Sequence, residues 1–273
     1  MNFSALLSIY FKEKPTFFNQ AMQSIWGNQT LKPSEIILVE DGKLTDELYQ
    51  AIAQWKEKLG DVLKVVPLET NQGLAKALNA GIQHCQYNYI ARMDTDDIAT
   101  SDRFEKQIQY FKEHPDTDIL GGQIEEFYET IGDIDSQRKL PVEHQDIINF
   151  AKSRCPFNHP SVMYKKSAVI KAGLYQNNYL YEDYALWVRM LNSGLKAHNL
   201  PDTIVYMRTG ADMFARRGGF KYAVSELKAQ YQFYKIGFLS FTQFIKNAVI
   251  RFPVRVMPNG LRTFVYKTFL RQK

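Results

Sequence analysis

The chain has 273 residues, 45% of them hydrophobic, 23% charged and 14% aromatic, and a formal net charge of +5. This is the balance of a soluble globular protein long enough to bury a sizeable core. Two cysteines without metal-ligand spacing, Cys85 and Cys155, exclude a disulfide scaffold and point to reduced thiols in a cytoplasmic protein. No apolar run forms a signal-peptide core or approaches the roughly 18–20 residues of a spanning helix.

The charge is uneven. Residues Met213 to Lys273 hold 12 Lys and Arg against one acid, Glu226, a surplus of +11 that leaves −6 on residues 1–212 to reach the total of +5. An acidic body with a basic end suggests an anionic partner at that end.

In chain order, FSALLSIY (3–10) is an apolar run suited to a buried strand. Pro15 fits the first turn of a helix along which Phe18, Met22, Ile25 and Trp26 recur at helical spacing. EIILVEDG (35–42) is a second strand, its consecutive Ile36, Ile37, Leu38 and Val39 suiting a sheet covered on both faces. A helix over about 44–59 carries Leu48, Ile52, Trp55 and Leu59 on one stripe. VLKVVPLE (62–69) is a third strand whose Pro67 places its end at an edge or bend. GLAKALNAGIQHC (73–85) is helical, YIARM (89–93) is a fourth strand, and Ser101 is placed as the cap of a helix that Pro115 stops. Further on, Tyr184, Trp187, Val188 and Leu191 in YEDYALWVRMLNSG repeat at i, i+3, i+4, i+7, a helix ended by Gly194.

Four alternations of strand and helix predict an α/β fold around a parallel, doubly wound sheet. Ligands bind such sheets beyond the carboxyl ends of the strands. Three polar groups fall there: Ser8-Ile9-Tyr10, Glu40-Asp41-Gly42 and Asp94-Thr95-Asp96-Asp97. Three carboxylates within four positions repel one another, and their crowding suits a hard divalent cation with oxygen ligands, Mn²⁺ or Mg²⁺. An EF-hand is excluded because Ala99 stands where that loop needs Gly, and Asp102 reads as a helix-start acid. Glu182 and Asp183 form a second acidic group, in the first turn of their helix, where the dipole stabilises negative charge.

SIYFKE, EIILVEDG, NQGLAKALNAGI, ARMDTDD, NHPSVMYKKSAVIKAG and YEDYALWVRMLNSG, in this order, resemble the inverting family-2 glycosyltransferases with the GT-A fold. The likeness runs from the N-terminus to about residue 208. LLSIYFKEKP, VEDGKLTDELY, ARMDTDDI and DMFARRGG further resemble, within that family, bacterial β-1,3-galactosyltransferases that extend undecaprenyl-diphosphate-linked N-acetylglucosamine in O-antigen and capsule assembly. The resemblance implies a UDP-sugar donor, UDP-galactose, and a lipid-diphosphate-linked sugar as acceptor. It places the nucleotide against Ser8 and Tyr10, with Asp41 accepting the uracil N3–H and Lys76 approaching the nucleotide. It makes Asp94 and Asp96 the D-x-D that holds ribose and metal, with Asp97 assisting. Asp183 becomes the base that deprotonates the acceptor hydroxyl, supported by Glu182. His159, Arg208, Arg216 and Arg217 are candidates for contacting the acceptor or a diphosphate. Phe11-Lys12 departs from the family, which often has Asn after the first strand.

The expected layout is a catalytic domain over 1–212, with a nucleotide-binding half (1–115) and an acceptor half (116–212), followed by a basic amphipathic helical tail over 213–273. In the tail Phe241, Phe244, Ile245 and Ala248 share helical spacing and are interleaved with Lys246, Arg251 and Arg255. That pattern suits a helix lying on the anionic inner face of the plasma membrane. No nucleic-acid module is recognisable. Two other readings stand beside this one. A D-x-D-x-T phosphatase usually has its aspartates after the first strand rather than the fourth, and here Ile98 occupies the Thr place. A non-catalytic sugar- or lipid-binding relative would bind without turnover.

Overall fold

The apolar runs of the first half become the inner strands of one sheet. β1 (Phe3–Ile9), β2 (Glu35–Glu40), β3 (Leu63–Pro67) and β4 (Tyr89–Arg92) pair in parallel in the order β3-β2-β1-β4. The protein is described by a computed structural model covering residues 1–134, 136–210 and 218–257. Side chains alternate along β2: Ile37 and Val39 enter the core on one sheet face, Ile36 and Leu38 the core on the other. That is why the sequence shows a continuous apolar run rather than alternation. β3 is the edge strand and ends at Pro67, where a missing N–H is tolerated.

Helices cover both faces. α1 (Pro15–Met22), which continues as a π turn to Gly27, and α2 (Asp46–Leu59) bury Phe18, Leu48 and Trp55 on one side. α3 (Leu74–His84) buries Leu78 and Ile82 on the other. Gly81 lets α3 lie against the sheet, since a Cβ there would meet Leu6 Cδ1 at 2.3 Å.

The second half extends the same sheet. After β5 (Ile98–Ala99) and α4 (Arg103–Glu113) come β6 (Thr117–Phe127), β7 (Gln137–Arg138), α5 (His144–Ala151), β8 (Met163–Lys165) and α6 (Lys166–Lys171). α7 (Glu182–Asn192) and β9 (Lys196–Arg208) complete it, giving the order β3-β2-β1-β4-β8-β6-β9-β5 with β7 beside β6. β8 is antiparallel to both β4 and β6, so the sheet is mixed, although its long ladders are parallel. The four alternations that predict a parallel sheet thus account for its first half only.

Two local expectations are corrected. The N-cap position of α4 is Asp102, not Ser101: Arg103 N closes a turn onto Thr100 O, so Ser101 lies inside that turn. Asp102 instead accepts from Thr100 Oγ1 (2.9 Å) and pairs with Lys106 (2.9 Å). In the tail, α8 (Phe220–Lys235) and α9 (Phe241–Val256) pack together, and Phe244 turns inward onto Tyr231 and Tyr234. The exposed stripe of α9 is therefore Phe241, Ile245, Val249 and Val256 with Ile250, not the expected set containing Phe244 and Ala248. Phe233, Phe238 and Leu239 enter the same core as Tyr184 and Trp187, so the start of the tail is built into the catalytic body. The expected boundary at 212/213 lies outside the described residues, as do Arg216 and Arg217. Among the described residues no helix is long and apolar enough to cross a membrane.

Candidate active site

The carboxyl ends of β1, β2 and β4 lie side by side because those strands are neighbours. Met93 N donates to Leu6 O (3.0 Å) and Asp41 N to Ile9 O (2.8 Å), which sets the three polar groups along one sheet edge. Ser8 is half-buried near the end of β1, and Tyr10 is exposed just beyond it. Asp41 is 3% exposed; its two carboxylate oxygens accept from Gln72 N (2.7 Å) and Gly73 N (3.0 Å). The aspartate thus holds the loop that enters α3, whose first turn carries exposed Lys76. Gly42 is required here: its φ is +84°, and a Cβ would meet Asn71 N at 2.5 Å. Each Asp41 oxygen keeps a second lone pair for a further donor.

Beyond β4, the carboxylates of Asp94, Asp96 and Asp97 each offer an oxygen within 4.8 Å of the others. Asp97 is buried and the other two are half-buried. Burial, then repulsion from Asp94 and Glu13, pushes Asp96 up to about 7. Burial, then repulsion from Asp96 and Asp94, pushes Asp97 well above the usual carboxylate range. This is the electrostatics of a site short of positive charge, and hard oxygen donors so arranged fit Mn²⁺ or Mg²⁺. Nearby cations relieve only part of it. Arg92 forms a two-pronged ion pair with Asp94, Nη1 to Oδ2 at 2.6 Å, while its side chain is 1% exposed. Burial alone would lower the Arg92 pKa, but Asp94 outweighs it and the guanidinium stays charged.

Arg208 sits on the other side of the loop. Its backbone N–H donates to Asp97 (2.8 Å) and its Nε to Asp96 O (3.1 Å). Its terminal nitrogens reach Tyr128 O and Gln20 Oε1, and its plane is bracketed by the rings of Phe17 and Phe127. The sequence suggests Arg208 for a diphosphate; in the structure its donors are first engaged in fixing the aspartate loop. Glu13 does similar work from the β1 side, accepting from Thr95 Oγ1 at 2.6 Å.

The second acidic pair arrives on α7. Its inward stripe of Tyr184, Trp187, Val188 and Leu191 is buried, which leaves Glu182 and Asp183 half-buried at the first turn. Asp183 accepts from Tyr184 N (2.7 Å) and from the Cys155 thiol (3.7 Å). Burial raises the pKa of Asp183, against the Tyr184 N–H and the positive charges of Arg138 and Arg92. Burial and then Asp183 raise Glu182. A carboxylate with raised proton affinity suits a general base. Burial thrusts the Cys155 thiol up too, so it stays protonated as a donor. His159 shares a 3.0 Å hydrogen bond with the Tyr175 hydroxyl and packs against Trp187. Burial, with Arg92 second, holds it well below the usual histidine range and hence neutral.

Arg92 joins the two halves. Its charge acts on Asp97 on one side, and on Glu182, Asp183 and His159 on the other. Its Nε has no hydrogen-bond partner. Sequence reasoning missed Arg92, Glu13, Gln20 and Cys155. Only Arg92 left a sign, as a charged residue inside the apolar run YIARM.

The family description "Glycosyl transferase family 2" matches residues 9–176. The chain is 41% identical over 270 residues to the UDP-Gal:alpha-D-GlcNAc-diphosphoundecaprenol beta-1,3-galactosyltransferase of Escherichia coli, covering 99% of this chain and 97% of that protein. It is also 41% identical over 269 residues to the amylovoran biosynthesis glycosyltransferase AmsE of Erwinia amylovora, covering 97% and 98%. Among solved structures, S. aureus TarS in complex with UDP-GlcNAc superposes with a TM-score of 0.69 at 16% identity, over 99% of this chain and 76% of that one. The mannosyltransferase PcManGT of Pyrobaculum calidifontis, in complex with GDP-Man and Mn²⁺, gives 0.67 at 14%, over 98% and 75%. The fold is thus the GT-A type that the sequence motifs imply.

Proposed function

Because this chain belongs to glycosyl transferase family 2, we propose that it transfers galactose from UDP-galactose to a hydroxyl of undecaprenyl-diphosphate-linked N-acetylglucosamine, in the synthesis of a surface polysaccharide. The observation that carries this reading is the pairing of two carboxylate sets, Asp94-Asp96-Asp97 and Glu182-Asp183, across the buried guanidinium of Arg92. The 41% identity to a galactosyltransferase of that name, over nearly the whole of both chains, supports the choice of substrates.

In this reading Ser8, Tyr10, Asp41 and Lys76 receive the nucleotide, with Asp41 accepting the uracil N3–H. Asp96 and Asp97 would hold Mn²⁺ or Mg²⁺ together with Asp94, which would also contact the ribose. When bound, the metal stabilises the charge of the leaving nucleoside diphosphate. Asp183 takes the proton of the acceptor hydroxyl as that oxygen forms its bond to the anomeric carbon. Glu182 supports the charge on Asp183 or contacts the acceptor. His159, neutral and fixed by Tyr175, lines the acceptor side as a polar contact. A single displacement turns the α-linked donor into a β-linked product. The basic tail and the exposed apolar stripe of α9 suit peripheral association with the anionic inner leaflet, where the acceptor lipid resides.

The test is a panel of UDP-sugars with a synthetic GlcNAc-diphosphate-lipid, with Mn²⁺, with Mg²⁺ and with chelator. Metal-dependent galactose transfer giving a β-linkage by NMR is the expected result. Retention at the anomeric centre, or hydrolysis of phosphate esters without sugar transfer, would overturn it.

A further inference from the structure

Outside the site just described, an open cleft of about 500 Å³ separates α8 from the 177–179 loop. One face of α8 lines it with Lys221, Val224, Ser225 and Lys228, spaced i, i+3, i+4, i+7. The loop is pinned across it: Ser225 Oγ donates to Tyr179 O, Asn178 Nδ2 donates to Gln232 Oε1, and the Lys221 ammonium lies 4.6 Å over the Tyr179 ring. Two large apolar side chains of the lining stand in water, Phe220 at 70% exposure and Tyr179 at 51%, and Leu180, next in the chain after Tyr179, is 43% exposed. Leu180 also holds φ at +64°, a conformation that L residues with branched side chains rarely adopt. Among the described residues the lining contains two lysines and no carboxylate.

Its two ends fix its use. At one end the chain runs from Leu180 through Tyr181 straight into Glu182 and Asp183. At the other, the Phe220 ring meets Phe252 edge-on at 6.2 Å and Gly219 N donates to Arg255 O (2.8 Å), so the cleft opens towards the C-terminal end of α9. That helix carries exposed Val249, Ile250 and Val256. The cleft thus lies between the apolar outer face of α9 and the short segment that leads into the carboxylate pair, with two ammonium groups in its lining.

We propose that this cleft seats the diphosphate and the first isoprenoid units of the acceptor, with Lys221 and Lys228 on the diphosphate and Tyr179, Leu180 and Phe220 on the lipid chain. The inference rests on the acceptor reading given above. Ammonium groups on flexible stems suit a diphosphate as point charges. The exposed aromatic and leucine side chains suit the apolar carbons beside it. The sugar at the other end of the diphosphate then faces Asp183.

The experiment measures kcat/KM for two acceptors in buffer free of vesicles: GlcNAc-diphosphate-geranyl, and the methyl glycoside of GlcNAc, which lacks diphosphate and lipid. In the Lys221→Ala/Lys228→Ala variant the preference for the diphosphate acceptor over the methyl glycoside should fall at least about tenfold, as expected for two lost charge-assisted contacts. Lys221→Arg/Lys228→Arg should restore most of it. Titration with UDP and Mn²⁺ reports whether the variants are folded. An unchanged preference overturns the proposal. So does a loss that appears only when anionic vesicles are added, which would assign the lysines to lipid headgroups. A wild-type protein that transfers no sugar from any UDP-sugar would overturn the function itself, a result distinct from either.

Discussion

Asp183 carries the proton in the proposed chemistry, and its surroundings set the pH at which it can do so. A base acts only when deprotonated, and burial raises this carboxyl above its ordinary 3.8. The acid limb of kcat/KM should therefore lie above that value, with transfer rising as pH climbs through it; a flat profile down to the ordinary range would remove Asp183 from the role. Asp183→Asn keeps shape and loses proton affinity, so transfer should drop about 10²–10⁴-fold while UDP titration is unaffected. At the other carboxylate set, Asp96→Ala should abolish turnover, and Mn²⁺ should raise the melting temperature of the wild type but not of the variant, since a ligand stabilises only a fold that binds it. Arg92→Lys tests the buried fork that holds Asp94. An ammonium cannot keep both prongs, and loss of a group that orients metal ligands costs about 10–100-fold in metal affinity. The expected result is a rightward shift of the Mn²⁺ activation curve with donor KM little changed, and an unchanged curve would make Arg92 a purely structural ion pair.

At the scale of elements, α8 and α9 are bound to each other by a buried charge cluster. Glu226 on α8 is 2% exposed and pairs with Arg255 (2.7 Å) and Arg251 of α9. Burial would raise its pKa, but the two arginines outweigh burial and leave it lowered. A carboxylate lowered in the folded state stabilises above its unfolded value, near 4.5, and that contribution is lost as pH falls through the folded value. Glu226→Gln removes the charge and leaves two guanidinium groups facing each other in a partly dry site. Breaking a buried pair in this way costs about 3–5 kcal/mol. The variant should melt lower at pH 7, and the gap to wild type should narrow as pH falls below about 4.5 and Glu226 of the wild type protonates. A melting temperature equal to wild type at pH 7 would show that α8 and α9 are held by apolar packing alone.

On the whole-molecule scale, the charge is divided along the chain, −6 over residues 1–212 and +11 over residues 213–273. The side of α9 turned from the core exposes Phe241, Ile245, Val249, Ile250 and Val256, with Lys246 among them. Lysines near an anionic leaflet contribute on the order of 1 kcal/mol each, and the term fades with salt. The protein should therefore sediment with anionic vesicles at low salt and release at high salt. Ile245→Asp/Val249→Asp, two exposed positions, should weaken that binding without altering UDP titration. Indifference of the wild type to anionic vesicles at low salt would end the membrane reading.

The sequence by itself determined the parallel half of the sheet and the acids at its rim. Runs such as IILV in β2, the helical stripe of α2 and the spacing of Asp94, Asp96 and Asp97 are local patterns, and local patterns survive in a one-dimensional reading. The stripe of α7 placed Glu182 and Asp183 correctly at its first turn for the same reason. What only the tertiary structure decided is contact across long separations. β8 inserts antiparallel between β4 and β6 because those strands leave hydrogen-bonding edges that only a distant segment can fill. Arg208 reaches back to Asp97, Glu13 to Thr95 and Cys155 to Asp183. The inner and outer faces of α9 were likewise invisible in advance, since Phe244 and Ile245 are equally apolar and only the position of α8 buries one and leaves the other in water. Residue spacing encodes which face of an element is apolar, whereas partners chosen over a hundred residues are set by how the packed elements meet.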